Sequence, residues 1–141
     1  MNKIIRIIPV LFIKNGHIVR SQNFSEHQVI GNVINQCARY NSWNIDELIY
    51  IDISKNKKYD SLRDDHKIKS LKNIKEIVKE ISNVCSTPLT FGGGIKTLDD
   101  MKIRIYNGAD KIILNSLLFD NKKIVEKAAM TFGSQAIVAS V

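Results

Sequence analysis

A chain of 141 residues suffices for one domain and not for two ordinary ones, since domains run roughly 100–200 residues. With 44% hydrophobic and 25% charged residues, 7 Gly and 2 Pro, the composition excludes a disordered or collagen-like chain and predicts a packed core. The 21 Lys+Arg against 14 Asp+Glu leave +7, a balance that by itself admits nucleic acid, an anionic surface or a phosphorylated small molecule.

The first apolar, β-branched run, Ile4–Phe12, reads as a strand. The longest uninterrupted apolar run, Ile7–Ile13, falls far short of the roughly 20 residues that span a bilayer. Arg6 interrupts the N-terminal stretch and no small-residue cleavage site follows it, so a cytoplasmic protein without a membrane partner is expected. Lys14–Gln28, which holds one short apolar-polar stretch at Gly16–Arg20, reads as a long loop between strand and helix. Apolar residues three and four apart then predict a helix over Val29–Tyr40, followed by a strand at Leu48–Ile53. A second helix is read over Ile68–Val84, through Leu71, Ile74, Ile77, Val78 and Ile81, and a third strand at Leu89–Phe91. Thr97 stands before Leu98-Asp99-Asp100 as an N-cap does, which opens a helix over Leu98–Tyr106. Lys111–Leu114, Ile124–Phe132 and Ala136–Val141 complete the series as strand, helix and strand, with Gly108 and Gly133 where left-handed C-terminal caps belong. Strict alternation of strands with helix-length crossovers builds a parallel sheet, so the fold class is α/β.

The basic residues are scattered or sit in the Lys-rich stretches Lys67–Lys79 and Lys122–Lys127, without the interleaved aromatics of a single-strand platform. Solvated helix faces are expected there, and no nucleic acid. Cys37 and Cys85 form no CxxC and have no His at ligand spacing, which predicts reduced, buried thiols, no metal and no nucleophile. His17, His27 and His66 are isolated, and no acid/base role is assigned to them.

In parallel α/β folds the ligand chemistry lies beyond the C-terminal ends of the strands. Gly92-Gly93-Gly94 follows the third strand, where residues without Cβ let backbone N–H groups approach an anion. A tight strand-to-helix turn is the other reading of the same triplet. Asn115-Ser116 holds the equivalent place after the fourth strand, and Gly93, Gly94, Asn115 and Ser116 together suggest half of a phosphate site. Asp52 ends the second strand, either aiming a carboxylate into the same mouth or capping the next segment. Arg6, Glu47 and Lys111 lie at or near strand starts and hence at the opposite end of the sheet.

These residues resemble the cyclase subunit of imidazole glycerol phosphate synthase, a TIM (β/α)8-barrel family. The likeness runs through Arg6-Ile7-Ile8, Lys14-Asn15-Gly16, Asp46-Glu47-Leu48, Asp52-Ile53, Phe91-Gly92-Gly93-Gly94-Ile95, Gly108-Ala109-Asp110-Lys111 and Phe132-Gly133-Ser134-Gln135-Ala136. It extends over essentially the whole of residues 1–141 but covers only the N-terminal half-barrel, four βα units and strand five, of a fold of about 250 residues. The resemblance implies a lyase of histidine biosynthesis that takes ammonia from a glutamine amidotransferase subunit. That enzyme closes an imidazole ring on a bisphosphorylated ribulosyl substrate, releasing aminoimidazole carboxamide ribotide, and it needs no cofactor. Gly93, Gly94, Asn115 and Ser116 would hold one substrate phosphate. Arg6, Glu47 and Lys111 would form the charged gate for ammonia, with Asp110 and Gln135 near the glutaminase. A half-barrel is also expected to self-associate, because strands one and five would be unpaired edges.

Two departures from the family bear on catalysis. The first catalytic aspartate, two residues before the Lys of the Lys-Asp-Gly motif, is here Phe12, which exchanges no proton. The second would follow strand five, and Val141 is the last residue of this chain. Asp52 is the only carboxylate left near the mouth, and the chain alone is expected to be inactive. The apolar residue at the first station, with Asn15 in Lys-Asn-Gly, resembles a paralogue associated with amidation of cell-surface sugars. The readings that stand are therefore a cyclase subunit, that paralogue, and a non-catalytic phosphate-binding module.

Overall fold

The computed structural model describes residues 4–56, 59 and 71–141. In chain order, β1 (Val10–Lys14), β2 (His17–Gln22) and β3 (Glu26–Asn32) lead into α1 (Val33–Ser42) and β4 (Leu48–Asp52). Then follow α2 (Ile74–Val84), β5 (Leu89–Gly92), α3 (Leu98–Tyr106), β6 (Lys111–Leu114), α4 (Ser116–Asp120), α5 (Lys122–Phe132) and β7 (Ile137–Ala139). They build one seven-stranded sheet in the order β3-β2-β1-β4-β5-β6-β7. The pairs β1–β4, β4–β5, β5–β6 and β6–β7 are all parallel, as helical crossovers require.

Among the described residues, the helices pack on one face of that sheet. Leu11, Ile13, Leu48, Tyr50, Leu89 and Phe91 point to α1 and α2 and form one core with Val33, Cys37, Ile77, Val78 and Ile81. The rings of Tyr50 and Phe91 stack there with centroids 5.7 Å apart, and the buried Tyr50 hydroxyl donates to the Val33 carbonyl at 2.9 Å. Ile112 and Leu114 join Met101 of α3 and Ala128 of α5 in a second core. The alternate residues of the same strands, Val10, Phe12, Ile49, Ile51 and Ile113, are only half-buried or exposed. Because side chains alternate along a strand, these five form the concave face that the rest of a barrel would fill.

Several boundaries differ from the sequence reading. Lys14–Gln28 is not a loop: Asn15 (φ 51°) and Gly16 (φ 86°) make a two-residue turn that pairs β2 with β1 in antiparallel register, Lys14 opposite His17. Asn-Gly between strands is the strongest local hairpin signal because both turn residues need positive φ. Val29–Asn32, read as the first turns of a helix, belongs to β3, and α1 begins only where the Asn32 side chain accepts from the N–H groups of Ile34 and Asn35. The first strand becomes regular at Val10 and not at Ile4, since Pro9 has no N–H to donate. Even so, the carbonyls of Ile7 and Pro9 accept from Asp46 and Ile49. β1 is no bare edge, because Phe12–Lys14 pair with β2; the sheet edges are β3 and β7.

Asn73 caps α2, so this helix starts at Ile74, while Ile68–Ser70, Lys67 and His66 lie outside the described residues. Helix α3 has the predicted bounds, with a capping box in which Thr97 and Asp100 satisfy each other's backbone N–H. The five-residue α4 is too short to show a helical period, and β7 is trimmed to three residues by a 3-10 turn at Ser134–Ala136.

Candidate functional site

The C-terminal ends of β5 and β6 open on a cavity of about 510 Å³ lined by Gly93, Gly94, Lys96, Asn115, Ser116 and Asp120, among others. The three glycines meet different neighbours. A Cβ on Gly92 would lie 2.3 Å from Ile113 Cγ2, and one on Gly93 would lie 2.0 Å from the Asp52 carbonyl oxygen, so β5 packs there with no room for a side chain. At Gly94 (φ 62°) nothing stands within 4 Å, which leaves that peptide open to an approaching ligand. Asn115, which makes no side-chain cap, precedes α4 across the same cavity. The four residues expected to form half of a phosphate site are thus brought together, with Lys96 as a nearby cation that the sequence reading left out and Asp120 as an opposing carboxylate.

Asp52 is placed differently from the expectation of a carboxylate in the mouth. It shares the parity of Leu48 and Tyr50, so it faces the helices and is 7% exposed. Its carboxylate accepts from the Ser54 N–H at 2.9 Å and the Tyr59 hydroxyl at 2.5 Å, which is the capping role. Burial, and then the hydrogen bond and charge of Asp52, push the Tyr59 phenol above its ordinary range. Phe12 does face the concave side, where its ring meets Phe24 of the hairpin edge-on at 5.6 Å. An aromatic pair thus stands where the resemblance leads one to expect an acid.

At the other end of the sheet, Glu47 is 7% exposed and bonds two cations. Arg6 Nη2 lies 2.5 Å and Lys111 Nζ 3.1 Å from its Oε1. Burial pushes the Glu47 carboxyl up, but the hydrogen bonds and charges of Arg6 and Lys111 outweigh it and hold the carboxyl below its ordinary value. Asp110 accepts from the Leu89 N–H at 2.7 Å, tying the loop before β6 to the start of β5. Gln135 lies in the 3-10 turn before β7, at the same end. The three charged residues expected at the gate therefore form one network, with Asp110 and Gln135 at the same end of the sheet.

The fold also joins residues that spacing could not. The Cys37 thiol on α1 and the Cys85 thiol at the end of α2 influence each other's ionisation, and the Cys85 thiol donates to the Thr87 carbonyl at 3.3 Å. The Asn41 side chain bonds the Val84 carbonyl at 2.6 Å and the Ser86 N–H at 3.3 Å. Both cysteines are free, and the pairing lifts the Cys37 thiol. It lowers Cys85 to about 6, against the opposing effect of burial. Cys85 is therefore expected to alkylate with a midpoint near pH 6. Cys37→Ala should return that midpoint toward the ordinary thiol value of about 8.5. Mass-spectrometric alkylation rates check this, and a midpoint near 8.5 in the unsubstituted chain would contradict it.

Among the described residues no group of His, Cys, Asp or Glu is placed to hold a metal ion, and no helix is long and apolar enough to cross a membrane. His27 has a buried Nδ1 without a partner among the described residues, in a hairpin pocket with Arg20 and Glu26, away from the glycine loop.

The profile described as histidine biosynthesis protein, a TIM-barrel family, matches residues 6–141. Over 136 residues, 96% of this chain and 50% of the relative, the chain is 37% identical to imidazole glycerol phosphate synthase subunit HisF of Sulfurisphaera tokodaii. With the same coverage it is 35% identical to the subunit of that name from Staphylococcus aureus. It is 38% identical, again with that coverage, to a Campylobacter jejuni protein provisionally named imidazole glycerol phosphate synthase subunit hisF2. The chain spans about half the length of the curated relatives it matches.

Proposed function

We propose, since the chain belongs to the histidine biosynthesis protein family, that it is the N-terminal half of a cyclase-type barrel. In this reading it binds one phosphate of a ribulosyl substrate at one end of the sheet and admits ammonia at the other. The observation that carries this is the cavity after β5 and β6, where an unobstructed glycine peptide faces Asn115 and Ser116. Backbone N–H groups and small polar side chains suit a phosphate, which takes several hydrogen bonds and brings its own charge. Inorganic phosphate titrated into the ¹⁵N-labelled chain is expected to move the amide resonances of Gly93, Gly94, Asn115 and Ser116. Unmoved resonances there would leave the triplet a turn and remove the proposal.

The opposite end supports the ammonia side. Glu47 between Arg6 and Lys111 makes a charged cluster at the strand starts, with Asp110 and Gln135 at the end of the sheet that would meet a glutamine amidotransferase subunit. Charge complementarity there would fix orientation more than affinity. Reversing Glu47 and Lys111 together should weaken co-purification of the full barrel with that subunit, whereas undiminished recovery would place the contact elsewhere.

Phe12 favours a second reading, in which the same phosphate and ammonia ends serve amidation of cell-surface sugars. An apolar pair of Phe12 and Phe24 has no use in proton transfer to an imidazole precursor, which removes one ground for preferring the ring closure.

A further inference from the structure

Helix α3 buries a charge where its packing calls for a hydrocarbon. Arg104 is 4% exposed, on the helix face that also buries Met101, and burying a guanidinium without a full set of partners is costly. Its Nη1 donates to the Asp100 carbonyl at 2.8 Å and its Nη2 to the Gly93 carbonyl at 2.9 Å, while Nε finds no partner among the described residues. Beside it a cavity of about 240 Å³ is lined by Asp52, Tyr59, Asn73 and Gly94. Burial pulls the guanidinium below its ordinary value, and the charges of Asp100 and Asp52 partly restore it. A leucine or methionine would fill the same space without the desolvation cost, but would lose the bond to the Gly93 carbonyl.

The bond to Gly93 has a geometric consequence. The peptide joining Gly93 to Gly94 is trans, so its C=O and N–H point in opposite directions. A Gly93 carbonyl drawn toward α3 turns the Gly94 N–H away from α3, and Gly94 lines the cavity shared with Asn115 and Ser116.

We infer that Arg104 is a positioning residue for the anion site: from behind the sheet it grips the Gly93 carbonyl and so presents the Gly94 N–H to the phosphate. This rests on the phosphate reading above and adds to it a residue that touches no ligand. Both glycines sit at positive φ, in a segment with more than one accessible peptide orientation, and a charge-assisted bond selects one. The donor is then fixed before the anion arrives.

The test is a titration of the chain and its Arg104→Met variant with inorganic phosphate, followed at the Gly94 and Ser116 amides. In the unsubstituted chain both should move. In Arg104→Met the affinity should fall about tenfold, with the Gly94 response lost and the Ser116 response kept. Unchanged affinity with a full Gly94 response would overturn the inference while leaving the phosphate site intact. Both responses fading together in a folded variant would overturn it too, since that is the mark of general loosening. If Arg104→Met does not fold, Arg104→Lys decides, because an ammonium can still reach the carbonyl. A retained Gly94 response with weakened affinity supports the grip, and a folded Lys variant without that response removes it. If neither amide moves in the unsubstituted chain, the phosphate reading itself fails, a result distinct from the others.

Discussion

Gly93→Ala is expected to cost about 3 kcal/mol of stability or more and to abolish phosphate binding. The added Cβ would stand 2.0 Å from the carbonyl oxygen and 2.6 Å from the nitrogen of Asp52, both backbone atoms at the end of β4. They cannot retreat without breaking the register in which Ile51 lies opposite Gly92. A φ of 89° adds strain for any residue with a side chain. Gly94→Ala provides the contrast: its Cβ meets nothing within 4 Å, so only the positive φ resists it, at about 1–2 kcal/mol. That methyl would project into the space where the anion enters, so affinity should fall further than stability. Thermal melts with parallel phosphate titrations separate the two. A Gly93→Ala protein that melts within a degree or two of its parent would mean that β4 and β5 are not packed as described.

Given the bisphosphorylated ribulosyl substrate and an ammonium salt, the chain by itself is expected to give no ring closure above the uncatalysed rate. A positioned acid or base is typically worth about 10²–10⁴-fold, and the station at the end of β1 holds Phe12, with its ring against Phe24. Asp52 does not replace it, because its carboxylate is turned to the helices and already accepts from Ser54 and Tyr59. A single phosphate anchor also fixes only one end of a two-phosphate substrate, and correct positioning can supply about 7–11 kcal/mol of a barrier. Product chromatography at high protein concentration makes the comparison. Turnover that vanishes in Asp52→Asn would overturn the prediction and make Asp52 the working group.

What the sequence reveals depends on how local each determinant is. Leu98–Tyr106 is legible to the residue because Thr97 and Asp100 cap it from within four positions, and Lys111–Leu114 because Gly108 and Asn115 bound a short apolar run. The β1–β2 hairpin is signalled by Asn15-Gly16 between two apolar stretches, whereas β3 goes unread because its apolar residues Val29 and Ile30 are adjacent rather than alternating and both are exposed. The direction of Asp52 was implicit in its parity with Leu48 and Tyr50, since period-two alternation sends all three to one face. The glycine loop and the Arg6–Glu47–Lys111 network were both legible as residues, and the structure supplies their distances. The Cys37–Cys85 pair and the grip of Arg104 on Gly93 were not, because each joins separate elements that only the packing of helices on the sheet brings into reach.

On the proposed reading, one end of this sheet recognises the phosphate of a phosphorylated sugar. The most direct measurement is calorimetric titration of the chain with ribulose 5-phosphate and, in parallel, with ribulose. Binding of the phosphorylated sugar alone, weakened by added salt and competed by inorganic phosphate, is the predicted result. Equal binding of both sugars, or of neither, would contradict it.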